Sequence, residues 1–260
     1  MGASVSGSGL WTRVRGRYMR ESAKRRFRRP FVIHTAFPLI SFTFDDFPRS
    51  ALHTGGTILR QFEAAGTYYA SFGLMGKEAP TGTMFVKDDL RTLLEQGHEL
   101  GSHTFRHSNA WETSPTNFEE SVKENQRALA ELVPGVSFRT LSYPISVPRP
   151  HTKEKVSQYF ACCRCGGQTF NSGEVDLNYL SAYFLEKTRN DPAKAKAMID
   201  QNRQAKGWLI FATHDVAENP TPFGCTPAFF EEIVRYAFDS GARILPVIQA
   251  WEALQATRSS

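Results

Sequence analysis

The chain has 260 residues, of which 41% are hydrophobic and 22% are charged, a composition typical of a globular protein with a sizeable core. No apolar run reaches the roughly 18 residues that a membrane-spanning helix needs, so no helix is expected to cross a membrane. The formal net charge of +5 is uneven: residues 1–30 hold nine Lys/Arg and one acid, whereas the other 230 residues hold 22 basic and 25 acidic side chains.

This charge distribution predicts a basic, flexible N-terminal segment at 1–30 and one folded domain at 31–260. Apolar residues interleave with the arginines of the segment, so peripheral membrane contact is an alternative to a solvated arm. They are Leu10, Trp11, Val14, Tyr18 and Met19. No continuous apolar stretch follows the charges, so we expect no secretory signal and a cytoplasmic protein, with association at the inner membrane face as the alternative. No nucleic-acid-binding motif is visible, and no nucleic acid partner is expected.

Strand-like and helix-like runs alternate through the rest of the chain. Apolar runs typical of strands lie at 38–44, 67–73, 98–102, 138–143, 159–165, 208–213 and 243–248. Segments with apolar residues at helical spacing lie at 50–65, 86–96, 117–132, 192–205, 226–239 and 249–256. This alternation predicts an α/β fold with a parallel sheet, and about seven strands in one chain favour a closed (β/α) barrel over two domains.

Three polar clusters directly follow strand-like runs. They are Asp45/Asp46 after PLISFTF, the sequence HTFRH (His103–His107) after HELGS, and the sequence THD (Thr213–Asp215) after WLIFA. Because the carboxyl ends of parallel barrel strands share one face, which carries the active site in such folds, the three clusters are expected to converge.

The first two clusters together match the ligands of a catalytic metal site. His103 and His107 are four residues apart, so both imidazoles lie on one face if a helical turn begins there. Two histidines and one carboxylate leave a coordination position for water, as in catalytic zinc sites. Of two carboxylates at a strand end, one can bind the metal while its neighbour takes a proton from the water. The competing interpretation is a turn and helix cap at DDFP and a chance pairing of the histidines.

The stretches SFTFDDFP, GHELGSHTFRH and WLIFATHDV, in this order and spacing, resemble the polysaccharide deacetylase family, the NodB-homology carbohydrate esterases. The resemblance covers residues 38–250 and implies a distorted (β/α) barrel that removes acetyl groups from N-acetyl sugars. It also implies that Asp45 is the base and that His214 is the general acid, a task suited to an imidazole pKa. The implied metal ligands are Asp46, His103 and His107. Zinc is the expected divalent metal, with cobalt, manganese or nickel as alternatives.

Two motifs depart from this family. The residue after the second Asp is Phe47 instead of glycine, which predicts an aromatic ring at the lip of the site. The family's third motif, Arg-x-Pro-Tyr, aligns with LSYPIS, which puts Ser142 in place of the arginine and Ile145 in place of the tyrosine. A second alignment keeps an arginine at 138–139 but leaves Pro144 out of step. The Ile145 backbone N–H is then expected to bind the oxyanion, with Tyr143 beside it in the substrate-binding region.

The family's fourth motif, an aspartate that pairs with the missing arginine, has no clear match. Asp176 is a candidate, although a surface loop position is the preferred interpretation, and the group that orients Asp45 is not identified. His98 is interpreted as structural because it precedes its strand. Trp111, in the loop after His107, either stacks on a sugar ring or anchors the loop.

The residues and the resemblance together predict a metal-dependent hydrolase that removes N-acetyl groups from an amino sugar or a glycan precursor. Two alternatives stay open. The first is hydrolysis of another amide, such as a cyclic ureide or imide, on the same fold. The second is a glycan-binding domain without catalytic activity.

Overall fold

In the computed structural model, which describes residues 7–257, seven parallel strands close into a barrel. The strands of the chain are β1 (Pro30–Ile33), β2 (Leu39–Asp46), β3 (Thr67–Ala70), β4 (Glu78–Ala79), β5 (Gly82–Thr83), β6 (Glu99–Ser102), β7 (Thr140–Ser142), β8 (Cys162–Gly166), β9 (Gly173–Asp176), β10 (Leu180–Phe184), β11 (Trp208–Thr213) and β12 (Arg243–Ile244). The helices are α1 (Gly7–Arg25), α2 (Thr57–Gln61), α3 (Lys87–Glu95), α4 (Pro115–Leu132), α5 (Pro150–Val156), α6 (Pro192–Ala205), α7 (Pro227–Asp239) and α8 (Val247–Ala256).

The barrel order is β2-β3-β6-β7-β8-β10-β11, and β11 pairs with β2 to close the ring. The predicted barrel of about seven parallel strands is confirmed, but one strand differs. Residues 243–248 supply only the two-residue β12, which pairs with the start of β2 outside the ring. The seventh barrel strand is instead β10, in a stretch without a predicted strand.

Two apolar layers stabilise the barrel. Along β2, Ile40, Phe42 and Phe44 point towards the surrounding helices and pack in the larger core cluster. Leu39, in contrast, belongs to a second cluster with Trp208 and residues of α8. The backbone N–H groups at the start of α8 donate to Thr67 Oγ1 and Glu99 Oε2, each at 2.9 Å. Helix α8 is thereby bonded to polar side chains of two barrel strands.

Within residues 7–257, the N-terminal segment predicted as a basic flexible arm contains a helix. Residues 7–25 form helix α1, and its C-terminal end is held against α5. Lys153 Nζ donates to the carbonyl of buried Ala23 at 2.7 Å and pairs with Asp176 at 2.5 Å. Arg15 also pairs with Glu112 at 2.5 Å. None of the helices in residues 7–257 is both long enough and apolar enough to cross a membrane.

His98 is structural, as expected from its position before β6. Its ring is buried, and Nδ1 accepts a hydrogen bond from the Gly66 backbone N–H at 3.0 Å. Burial, with a smaller effect of the Arg60 charge, lowers the pKa of His98 from 6.5 to about 4. The folded protein therefore holds a neutral imidazole over a pH range in which the unfolded chain binds a proton.

We predict that His98 makes the fold acid-sensitive. Its folded pKa is below its unfolded pKa, so its contribution is complete above pH 6.5 and is lost as the pH falls towards 4. The loss is about 3 kcal/mol of unfolding free energy. In His98→Asn, the amide oxygen still accepts from Gly66 but does not titrate, so urea unfolding of this variant should depend less on pH. Equal pH dependence in both proteins would contradict this role.

Candidate active site

The three polar clusters meet at one end of the barrel, as expected from parallel strand order. They line a single cleft of about 850 Å³ at the carboxyl ends of the strands. The predicted residues that line it are Asp45, Asp46, His103, His107, Tyr143, Ile145 and His214. Helix α1 forms part of its wall through Gly16, Met19 and Arg20.

Asp46, His103 and His107 form a compact cluster of potential metal ligands. Their ligand atoms all lie within 4.8 Å of one another. Asp46 Oδ1 is 3.1 Å from His107 Nε2 and 3.6 Å from His103 Nε2, while Oδ2 accepts a hydrogen bond from Thr81 Oγ1 at 2.8 Å. Burial opposes ionisation of Asp46, but its contacts with the two imidazoles hold the pKa well below its ordinary value. One carboxylate oxygen facing two Nε2 atoms fits a divalent cation.

The His103 ring is oriented by the backbone of the neighbouring strand. Its Nδ1–H donates to the Ser142 carbonyl at 2.8 Å, so the lone pair lies on Nε2, which faces Asp46. Burial is the largest influence and lowers the pKa of His103 to about 4. The imidazole is therefore neutral near pH 7, as a metal ligand must be.

Asp45 is held by Arg164, a residue that the sequence analysis does not identify. Arg164 is fully buried in β8, its Nη2 donates to Asp45 Oδ1, and its guanidinium lies 4.7 Å from the centre of the Tyr69 ring. Burial alone would raise the pKa of Asp45. The Arg164 charge, helped by nearby imidazoles, outweighs burial and holds this pKa below its ordinary value. In the strand pairing, Arg164 is the direct partner of Ser142.

His214 is oriented by the loop after β11. Its Nδ1–H donates to the Phe223 carbonyl at 3.1 Å, and its ring lies near Phe184 and Phe223, with centroid distances of 6.4 and 5.6 Å. A carbonyl only accepts, so the Nδ1 proton is fixed and Nε2 remains for proton exchange. Asp215 does not contact this ring. It accepts from the Thr221 N–H at 2.8 Å and thereby holds the loop that carries Phe223.

Comparison with known proteins agrees with this arrangement. The family model of polysaccharide deacetylase matches residues 34–159, which include the double aspartate, His103 and His107. Together with the NodB-like barrel, this match identifies a polysaccharide deacetylase domain. Gellan lyase from a Bacillus species is 25% identical over 167 residues, which are 56% of this chain and 6% of that protein. The deacetylase domain therefore spans a small part of this curated relative's length.

Two solved structures illustrate the shared fold. The chitin deacetylase of the fungal pathogen Colletotrichum lindemuthianum is 16% identical, with a TM-score of 0.61 over 84% of this chain and 89% of that chain. A CE4 family pseudoenzyme from Bacillus anthracis is 11% identical, with a TM-score of 0.59 over 85% of this chain and 67% of that chain. Because one of these neighbours is a pseudoenzyme, the fold alone does not decide whether a member of it is active.

Backbone strain is concentrated in the loops of the deacetylase site. Asp46, Phe47, Thr104, His107 and Ile145 all have positive φ, with values of 64°, 60°, 61°, 49° and 65°. Such angles are unfavourable for residues with a Cβ, and most of all for a β-branched residue such as Ile145. The backbone N–H of Ile145 has no acceptor among residues 7–257. The strained turn thus leaves a donor available at the predicted oxyanion position.

The prediction that Phe47 lies at the lip of the site is wrong. Its side chain is fully buried and stacks on Phe85, with ring centres 4.7 Å apart, and it also contacts Tyr68. Phe47 does not line the cleft. Phe47 has a positive φ, which glycine adopts easily, and its ring lies in the core instead of beside the substrate.

Two further residues are not part of the deacetylase cleft. Trp111 is half-buried outside the cleft lining and packs edge-on against Tyr18 of α1 at 6.3 Å, which favours the anchor interpretation over sugar stacking. Asp176 is neither a surface residue nor a partner of the site arginine. It is buried and pairs with Lys153 of α5, next to the C-terminal end of α1.

We predict that Arg164 and Asp45 are strongly coupled in stability. Arg164→Met leaves a buried, unpaired carboxylate and should lower the unfolding free energy by about 3–5 kcal/mol. The double variant Asp45→Asn with Arg164→Met removes both charges and should recover a large part of this loss. Urea unfolding of the four proteins measures the coupling.

Arg139→Met is the matched control for Arg164→Met. Arg139 pairs with Glu252 at 2.5 Å, but both side chains are about half exposed. Its replacement should cost less than about 1 kcal/mol. Additive effects of the Asp45 and Arg164 substitutions would show that the buried pair is not an energetic unit.

Proposed function

We propose that this deacetylase domain is a metal-dependent hydrolase that removes N-acetyl groups from an amino sugar or a glycan precursor. One observation carries the proposal. The metal-ligand cluster lies in the same cleft as Asp45, which is kept ionised, and His214, which has one nitrogen free to exchange a proton. This combination supports acyl transfer to water at a carbon–nitrogen bond.

Asp46, His103 and His107 are the proposed ligands of the cation. A set of two imidazoles and one carboxylate suits zinc, and it also suits cobalt, manganese or nickel. When bound, a divalent cation there polarises an amide carbonyl and lowers the pKa of coordinated water.

Asp45 is the proposed general base. Its carboxylate accepts a proton from the attacking water, whose oxygen adds to the acetyl carbonyl carbon. The Ile145 N–H donates to the oxyanion that forms, and the strained turn holds this donor in position. His214, protonated on both ring nitrogens at this stage, then donates its Nε2 proton to the sugar nitrogen, the carbon–nitrogen bond breaks, and acetic acid and the free amine leave. The proton held by Asp45 then passes back to His214, which restores both groups. Arg164 does not contact the substrate in this scheme, since its role is to orient Asp45 and keep it charged.

Two departures from the family, Phe47 and the missing third-motif arginine, are the reasons to consider a different amide as the substrate, and the structure weakens both. One was an aromatic ring at the lip of the site, but Phe47 is buried. The other was the missing third-motif arginine, whose place beside Asp45 is taken by Arg164. A domain without catalytic activity is also disfavoured, because it has no need for a buried base held in its charged form.

We predict that Asp45→Asn abolishes turnover while metal binding persists. Asparagine preserves the size of the side chain but cannot accept the proton, and loss of a general base costs typically 10²–10⁴-fold in rate. Acetate release should be measured over a panel of N-acetylated amino sugars and oligosaccharides, together with metal content. Wild-type rates in Asp45→Asn would remove the base assignment. Ring opening of a cyclic imide without acetate release would favour the other amide substrate.

His103→Ala should lose bound metal, because it removes one of three protein ligands. The measurement is the metal content after dialysis against a limiting zinc buffer. The matched control is His151→Ala, since His151 is exposed, pairs with Glu154, packs against Phe27 and does not line the cleft, so metal content should not change. Full zinc occupancy in His103→Ala would disprove the proposed ligand set.

A further inference from the structure

Helix α1 carries a stripe of exposed large apolar side chains. Trp11, Val14 and Tyr18 are 76%, 52% and 64% exposed, and their spacing of three and four residues puts them on one face. Exposed apolar groups of this size on one helix face are typical of an interaction surface. We call these three residues the α1 stripe.

The α1 stripe is accompanied by uncompensated positive charge. Residues 1–30 hold nine Lys/Arg and one acid. Two of the exposed cations on α1, Arg17 and Lys24, form no ion pair within residues 7–257. Apolar side chains next to basic ones on a single helix match an anionic lipid surface, with apolar groups entering the interface and cations remaining at the headgroups.

The opposite face of α1 is occupied by the protein itself. Gly16, Met19 and Arg20 line the cleft, and Ala23 is buried in the larger core cluster. On an ideal helix these residues lie roughly 150° from the α1 stripe. The α1 stripe therefore stays exposed to solvent in the folded protein, and it lies beside the mouth of the cleft.

The rim of the cleft is also apolar. Ile145 and Phe223 line it and are 68% and 42% exposed. In addition, Tyr18 of the α1 stripe contacts Trp111, in the loop that follows His107. The α1 stripe is thus adjacent to the exposed edge of the catalytic cleft.

We propose that the α1 stripe and the cations of α1 bind an anionic membrane surface and hold the mouth of the cleft next to it. A second copy of the chain is a poorer occupant, because the same face on two copies would place cations against cations. The proposal concerns lipid binding and does not require the deacetylase activity.

The test uses the full chain and co-sedimentation with vesicles of phosphatidylcholine containing 30% phosphatidylglycerol, compared with vesicles of phosphatidylcholine alone. Binding should be much tighter to the anionic vesicles and should weaken in high salt, because surface attraction is screened. The double variant Trp11→Ala with Val14→Ala introduces alanine, a strong helix former, so α1 should persist. It should bind the anionic vesicles at least about ten-fold more weakly, because it loses apolar surface. Arg17→Gln with Lys24→Gln should lose about thirty-fold.

Matched controls test whether the site is specific. Val32→Ala with Phe238→Ala removes a valine as exposed as Val14 and a half-exposed aromatic ring, from β1 and α7. Lys87→Gln with Arg91→Gln removes two exposed cations from α3. Neither control should change vesicle binding. Equal binding by the α1 variants and the controls, or equal binding to both kinds of vesicle, would overturn the proposal, as would a dimer in sedimentation that the α1 variants abolish.

Discussion

The buried pair between Asp45 and Arg164 is the constraint on which the site depends. Both side chains are almost completely inaccessible, and a single charge in that position would be strongly destabilising. Pairing allows both to stay charged, and it keeps Asp45 ionised although its burial favours the neutral acid. The interaction therefore stabilises the barrel and the proposed base at once, since the same contact that balances the charge of the arginine also orients the carboxylate.

The interior of the barrel makes this pair possible. Residues that alternate with the helix-facing apolar positions point inwards, and several of them are polar. Glu99, for example, accepts hydrogen bonds from Thr67 at 2.8 Å and Thr140 at 2.5 Å, one on each neighbouring strand. Arg164 and Asp45 continue this polar interior towards the carboxyl ends of the strands. The active cleft is thus the open end of a polar barrel interior.

The sequence predicts much of the fold and the main cluster of the site, because both follow local rules. Polar residues at strand ends are visible in the sequence, and parallel topology brings them together. Arg164 is not predicted, because it lies inside the run 159–165, where a charge looks like an exception to a buried strand. An arginine flanked by buried residues on both sides needs a buried acid, and only the three-dimensional structure shows that this acid is Asp45.

The other differences have equally specific causes. Phe47 follows a residue with positive φ and has positive φ itself, so its side chain does not continue the alternation of β2 and enters the core. Strand β10 lies in a stretch rich in polar residues, so periodicity does not mark it. Helix α1 is stabilised by Lys153, which is far away in sequence. The positive charge of residues 1–30, taken alone, favours a solvated arm instead of a docked helix.

The position of Arg164 explains how the family's third-motif arginine can be replaced by Ser142. These two residues are direct neighbours on adjacent parallel strands, whose backbones are about 4.8 Å apart. An arginine side chain is longer than this spacing, so a guanidinium rooted in β8 can reach the carboxylate that a residue in β7 would otherwise hold. With the arginine on β8, a second one at position 142 would bring an unpaired charge into the barrel, whereas Ser142 is small and uncharged. The backbone carbonyl of residue 142 still accepts a hydrogen bond from His103. The loss of a motif residue and the gain of an arginine on the next strand are therefore two parts of one electrostatic arrangement.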